Sequence, residues 1–225
     1  MEPTGASAMP EGLRGRRTSG YESGRPDVLA HVPDSAGTVL DIGCSTGLLG
    51  AALVARQGAR VTGVEPVSEY AAEARQRLAA VHAMTAEQYV ATGSTDMFDC
   101  LIAADVLEHL VDPWTTLRDA CRQVRPGGTV VVSVPNILFW KNLVRVIRER
   151  RWPRDPELMF DATHLRWFSP DDAVQLVAGA GLEVVAVEPR YWADGWRLAV
   201  YRRLARTGLG PFLGVQTIVR GRKVA

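Results

Sequence analysis

The sequence predicts an α/β domain built on a mostly parallel sheet with helices on both faces. Three observations support this fold class. From Thr38 onward, short β-branched runs alternate with helical stretches, and such a βαβ rhythm needs crossover helices that cover both sheet faces. The first run enters a turn of small residues, Gly43 to Gly47, before the first helix begins. A chain of 225 residues, 47% hydrophobic and 23% charged, can bury roughly 70% of its unfolded surface around one core.

Residues 1–18 are rich in Gly, Ser, Pro and charge without an apolar period, so a flexible tail is expected before a single domain over residues 19–225. A strand is expected over residues 38–42, a helix over 48–57, a second strand over 60–65 and a helix over 68–80. A weak strand at 81–84 and a clear one at 98–104 follow. The next helix starts near Pro113, with Gly127 and Gly128 read as its stop before a strand over 129–134. Residues 137–150 read as an amphipathic helix, and residues 151–168, rich in Trp, Pro and charge, show no regular period. Long irregular segments of compact domains are usually functional or mobile, so residues 136–168 are expected to cover a substrate. Ser169-Pro170-Asp171-Asp172 then supplies an N-cap, a first-turn proline and first-turn acids for a helix ending at Gly179 or Gly181. Two last strands, 182–188 and 215–220, flank a helical excursion over 196–206.

Composition narrows the function classes. Twenty-six basic residues against 25 acidic ones leave net charge +1, so no global field draws the chain to nucleic acid or an anionic membrane. No stretch approaches the roughly 18 apolar residues of a membrane span, and the N-terminus lacks the apolar run of a secretory signal. Cys44, Cys100 and Cys121 match neither a disulfide framework nor a metal knuckle. A reducing, cytoplasmic location is expected, and no feature points to a particular oligomer.

The most informative segment is Val39-Leu40-Asp41-Ile42-Gly43-Cys44-Ser45-Thr46-Gly47, a strand running into a small-residue turn and a helix. Small residues there let the backbone approach a ligand closely. A dinucleotide fingerprint wants glycine at 43, 45 and 48; this chain has Gly43, Ser45 and Leu48, with Gly47 one place early. No Lys-Ser or Lys-Thr follows the turn, which excludes a P-loop. Asp41 opens the loop and Glu65 ends the next strand, where a carboxylate can accept from both hydroxyls of a ribose. Two acids and no base beside the loop suit an adenosine carrying a cation and an ammonium group, not phosphates. S-adenosylmethionine meets those terms.

That loop, the acid at Glu65, the run F-D-C-L-I-A-A-D-V-L-E-H-L at 98–110 and R-P-G-G-T-V-V-V-S-V-P-N at 125–136 resemble the class I S-adenosylmethionine-dependent methyltransferases. D-A-T-H-L-R-W-F-S at 161–169 resembles a smaller bacterial group with a His-Leu-Arg-x-Phe element. The resemblance spans roughly residues 21–223. It implies a Rossmann-like seven-stranded sheet with an antiparallel last strand and a lid insertion after strand five. It further implies that Asp41, Gly43, Cys44, Ser45 and Gly47 form the cofactor loop, that Glu65 followed by Pro66 binds the ribose, and that Asp105 and Val106 line the methionine end. Ser45 stands where glycine is common, which requires ordinary dihedrals there. Thr85 stands where an acid often faces the adenine amine, so that contact is expected from it or from the backbone of Ala86.

Two histidines are candidates for the chemistry. His109 lies beside Glu108 at the ligand-facing strand ends, where it either acts on the acceptor or orients the loop. His164 lies in the expected cover between Asp161 and Arg166, either as a base oriented by Asp161 or as a lid residue bonded to it. His31 and His82 are read as structural. Trp140, Trp152, Trp167, Trp192 and Trp196 fall in or near the cover; some are expected to be ordinary core, and aromatic walls would also suit a flat or ring-shaped acceptor. The basic stretch Arg145, Arg148, Arg150, Arg151 and Arg154 reads as a solvated face, or as a site for an acidic acceptor. The acids near the strand ends form no oxygen-ligand cage, so no divalent-metal site is expected. The reading is methyl transfer to oxygen or nitrogen of a small molecule, as in natural-product or sugar biosynthesis. Nucleic-acid amino-methylation is disfavoured because Val134-Pro135-Asn136 is not the Asn-Pro-Pro-aromatic element that holds a base. The alternative is a non-catalytic relative that binds the cofactor and acts as a partner or regulatory subunit.

Overall fold

A computed structural model describes residues 24–154 and 158–224. The expected tail over residues 1–18 lies outside the described residues, as do three residues of the expected cover. The described chain runs α1 (Pro26–Leu29), β1 (Thr38–Ile42), α2 (Leu48–Gln57), β2 (Arg60–Val64), α3 (Ser68–Ala74), β3 (Ala80–His82), α4 (Ala86–Ala91) and β4 (Phe98–Ala104). It continues through α5 (Pro113–Ala120), β5 (Val124–Pro135), α6 (Trp140–Glu149), α7 (Pro170–Gly179), β6 (Leu182–Arg190), α8 (Gly195–Leu204) and β7 (Gln216–Lys223).

The seven strands form one sheet in the order β3-β2-β1-β4-β5-β7-β6. Strands β1 to β5 pair in parallel, and β7 runs antiparallel to both β5 and β6. This is the architecture the sequence predicts. Successive strand residues point to opposite faces, so Val39 and Leu40 of β1 enter different cores. Leu40 joins Leu101, Val130 and Val132 beneath Tyr89 of α4, Leu117 of α5 and Leu176 of α7. Val39 joins Cys100, Ile102 and Val131 beneath Val28 of α1, Leu53 of α2 and Ala74 of α3. Among the described residues no helix is long and apolar enough to cross a membrane.

Local signals explain several boundaries. Asp112 caps α5 by accepting from the Thr115 amide at 3.0 Å, and Ser169 forms a capping box with Asp172 at the start of α7. Two expectations need correction. Gly127 and Gly128 do not end a helix: α5 stops at Ala120, a 3-10 turn follows over Cys121–Gln123, and both glycines lie within β5. Pro126 holds Arg125 extended, and the ladder shifts register opposite Phe98 and Cys100. The helix expected over 68–80 ends at Ala74, because the Ala79 amide donates to Val61 and Ala80 pairs with Thr62. The sequence reading also missed α4, whose Thr85-x-x-Gln88 box starts it.

The segment after β5 is anchored by Asn136, which is 1% exposed. Its amide nitrogen donates to the Pro211 and Gly214 carbonyls at 2.7 and 2.9 Å, and its oxygen accepts from the Leu138 amide at 2.9 Å. Three bonds of about 1 kcal/mol each predict that Asn136→Ala lowers stability by about 3 kcal/mol in urea unfolding. A loss below about 1 kcal/mol would show that water replaces the lost partners.

Candidate active site

Strand β1 pairs with β2 on one side and β4 on the other. The strand order reverses there, and ligands of such sheets sit in the crevice beyond the carboxyl ends at that point. The loop leaving β1 is stitched to β2 by the Gly43 and Cys44 amides, which donate to the Val64 carbonyl at 2.8 and 3.1 Å. Gly43 has φ 74°, and a Cβ added to it would stand 1.9 Å from Val106 Cγ2. Only glycine fits. Ser45 does not have the ordinary dihedrals expected of it: its φ is 49°, a left-handed conformation costing an L-residue roughly 1–2 kcal/mol. Its amide donates to Glu65 Oε2 at 2.9 Å, which offsets that strain. Gly47, also left-handed, opens α2, and the Cys44 thiol is buried, which pushes its pKa up together with the charges of Asp41 and Glu65.

Glu65 is itself buried. Its Oε1 accepts from the Val67 amide at 2.9 Å, because the intervening Pro66 has no N–H to offer. Burial raises its pKa while these two backbone bonds pull the other way. Each oxygen has one donor and keeps a lone pair, as gripping a ribose diol requires. Asp41 is 2% exposed, and among the described residues its Oδ2 has no hydrogen-bond partner, nor has the Ser45 hydroxyl. Burial first, and the neighbouring Glu65 charge second, push Asp41 up to about 7. Unmatched acceptors and uncompensated acidity beside a glycine turn fit a hydroxylated, positively charged ligand, as S-adenosylmethionine is.

Asp105 follows β4 with φ 57°. Its carboxylate is held by the Arg25 guanidinium and the Gln216 side-chain amide. Arg25 is buried and also donates to Ser133 Oγ at 2.9 Å and to Asp27. The sequence reading missed Arg25, Ser133 and Gln216, which no motif joins; the register placing Gln216 opposite Pro135 brings the two strands' members together, and Arg25 reaches both from before α1. Val106 closes the loop by packing on Gly43. Thr85 spends its side chain on the α4 cap, accepting from the Gln88 amide at 3.2 Å, with Ala86 buried beside it.

Just after Val106 in the chain stands a second group. Glu108 and His109 lie in a 3-10 turn, Leu107–His109, and the Leu165 and Arg166 amides donate to the Glu108 carbonyl at 2.8 and 3.0 Å. This docks the expected cover and brings His164 to His109, ring centroids 4.7 Å apart. Asp161 does not orient the His164 ring as expected. That ring's Nδ1 bonds the Met159 carbonyl at 3.0 Å, and Asp161 instead accepts from the Thr163 amide and hydroxyl at 2.8 and 2.7 Å. Thr163 in turn meets His109 Nδ1, at 3.0 Å from its hydroxyl and 3.3 Å from its carbonyl. Burial lowers both imidazole pKa values, that of His109 to about 4 with help from His164. Burial pushes Glu108 up to about 8. A nitrogen of each ring and an oxygen of Glu108 lie within 4.8 Å of one another. The sequence reading expected no such donor set, because His164 is distant in sequence from the other two.

The Asp41 shift has a stability consequence. In the unfolded chain an aspartate ionises near 3.8. Below that pH both states hold the proton and Asp41 costs nothing. Between there and about 7 the unfolded chain has released a proton that the fold retains, so stability is lost as pH rises, with a slope approaching about 1.4 kcal/mol per pH unit. Asp41→Asn removes this loss. The ligand-free variant should gain stability over wild type between pH 4.5 and 7.5 in urea unfolding, whereas parallel pH curves would refute the buried-acid description.

A family model described as methyltransferase domain matches residues 14–187. The ubiquinone biosynthesis O-methyltransferase of Rhizobium rhizogenes is 31% identical over 176 residues, 72% of this chain and 67% of that protein. The trans-aconitate 2-methyltransferase of Azoarcus is 39% identical over 111 residues, 48% of this chain and 44% of that protein. The chain spans 41% to 67% of the length of such curated relatives. A crystal structure from Thermotoga maritima, a possible histamine N-methyltransferase, shares the fold with TM-score 0.62 and 21% identity, covering 91% of this chain and 89% of that one. Loop, acids, strand order and family match agree: the chain belongs to the methyltransferase domain family, within the class I S-adenosylmethionine-dependent methyltransferases.

Proposed function

We propose that the protein transfers a methyl group to an oxygen or nitrogen of a small molecule. The observation that supports this reading is that the Gly43–Glu65 loop packs on Val106, two residues before the Glu108, His109 and His164 cluster begins. Small-molecule acceptors are supported by relatives named for ubiquinone biosynthesis and for trans-aconitate. Bound S-adenosylmethionine supplies a methyl group activated on a sulfonium. The chain's own task is to align donor and acceptor and exclude water, and alignment alone contributes roughly 7–11 kcal/mol.

Glu65 would hold the ribose hydroxyls with the lone pairs its backbone donors leave free. Asp41 would supply the negative charge that favours a cationic ligand. His164 and His109 would receive an acceptor proton at Nε2, since backbone carbonyls, and for His109 also the Thr163 hydroxyl, meet Nδ1 of the rings. The cover adds an aromatic wall: Trp152 packs edge-on against both Phe160 and Trp167 with centroids 5.2 Å away. Residues 136–168 are proposed to close over the acceptor on that wall.

Two variants separate binding from chemistry. Glu65→Ala should weaken S-adenosylhomocysteine binding by a few kcal/mol, at about 1.5–3 per charge-assisted bond, as read by calorimetry; an unchanged affinity would move the ribose site elsewhere. With an acceptor found by screening, His164→Ala should lower turnover by about 10²- to 10⁴-fold while cofactor affinity stays within a few-fold. A collapse of cofactor affinity instead would make His164 a residue that holds the cover.

A further inference from the structure

We propose that Glu108, His109 and His164 bind one divalent transition-metal cation beside the methyl-transfer site. Glu108 is 1% exposed, and among the described residues neither of its carboxylate oxygens has a hydrogen-bond partner. A buried carboxylate without a donor is expensive, and such groups are normally paired or bound to a metal. Arg25, whose charge acts on it, is already bonded to Asp27, Asp105, Ser133 and Gln216. Among the described residues, then, no side chain satisfies Glu108, and a partner from outside would.

The two imidazoles fit that partner. The Met159 and Thr163 carbonyls can only accept, so each ring carries its proton on Nδ1 and presents a bare lone pair at Nε2. Histidine ligands of metals are fixed in this way, with the far nitrogen donating to a backbone carbonyl. Both rings are also held in place: Asp161 fixes Thr163, and two amides of the 165–166 segment fix the Glu108 turn. Ligands about 2.1 Å from an ion stand about 3–4 Å apart, and the three groups each offer an atom within 4.8 Å of the others. Two imidazoles and one carboxylate select a first-row transition ion over magnesium or calcium, which prefer all-oxygen sets. Three protein ligands leave positions open.

The role of the site rests on the methyl-transfer reading. An acceptor hydroxyl bound at an open position would lose its proton to solvent more readily. The oxygen lone pair would then form the new C–O bond as the S–C bond breaks and the sulfonium becomes a thioether. With the cation bound, His109 and His164 would act as its ligands in place of their role as proton acceptors, and the cation would promote ionisation of the acceptor.

The test is a titration of chelator-treated full-length protein with zinc chloride, and separately with cobalt chloride followed by visible absorption. One equivalent should bind, with a cobalt spectrum of nitrogen and oxygen ligation and no sulfur-to-metal charge-transfer band. Glu108→Gln and His164→Gln should each weaken binding at least tenfold, and magnesium chloride should not compete. Circular dichroism establishes that each variant is folded, and His109→Gln serves where one is not. No binding by wild type, equal binding by wild type and folded variants, or a thiolate band from the cysteines would overturn the site. S-adenosylhomocysteine calorimetry on the same metal-free sample keeps the two claims apart: retained binding there leaves methyl transfer standing even when the cation site fails.

Discussion

The carboxylate of Glu65 ties together the two turns on which the site is built. One oxygen takes the amide of Ser45 from the loop after β1, and the other takes the amide of Val67 from the turn into α3. Without that bridge, Ser45 would have little to hold it in a left-handed conformation that glycine adopts freely. The Val64 carbonyl, one residue before Glu65, receives two further loop amides. The end of β2 therefore determines the shape of the loop after β1, and the parallel register between the two strands brings them together.

Placing Glu65 there has a consequence for Asp41. Two buried acids beside one turn cannot both ionise without a counter-charge, and no basic side chain bonds Asp41 among the described residues. The opposite arrangement holds at Asp105, where Arg25 and Gln216 supply donors in full. The two acids thus differ: Asp41 Oδ2 lacks a donor among the described residues, whereas Asp105 has two donors. A ligand that is cationic at one point and rich in hydroxyl donors at another fits this difference. Phosphates, which would need basic or amide-rich surroundings, do not.

The fold was legible because its signals are local. β-branched runs, the Gly43–Gly47 turn and the Ser169 cap each announce themselves within a few residues, and parallel pairing follows from the helices between them. Errors arose where distant contacts decided the outcome. The third helix stops early because β3 claims Ala80, and β5 begins early because Pro126 bars a helix from reaching Gly127. The site divides in the same way. Asp41, Gly43 and Glu65 stand in one βαβ unit and could be read from spacing, although the dihedral of Ser45 could not. Arg25 reaching Asp105, and His164 reaching Glu108, span 80 and 56 residues, by 105 − 25 and 164 − 108. No periodicity encodes such meetings; they depend on which strand ends share an edge and on how the cover docks.

The central claim is that the loop beside Asp41 and Glu65 is made for an adenosyl ligand with a positive charge and no phosphate. Parallel calorimetric titrations of the intact chain with S-adenosylhomocysteine and with NAD test it most directly. The account predicts one equivalent of S-adenosylhomocysteine bound per chain and no saturable heat with NAD. Tight NAD binding, or no binding of the adenosyl ligand, would contradict it.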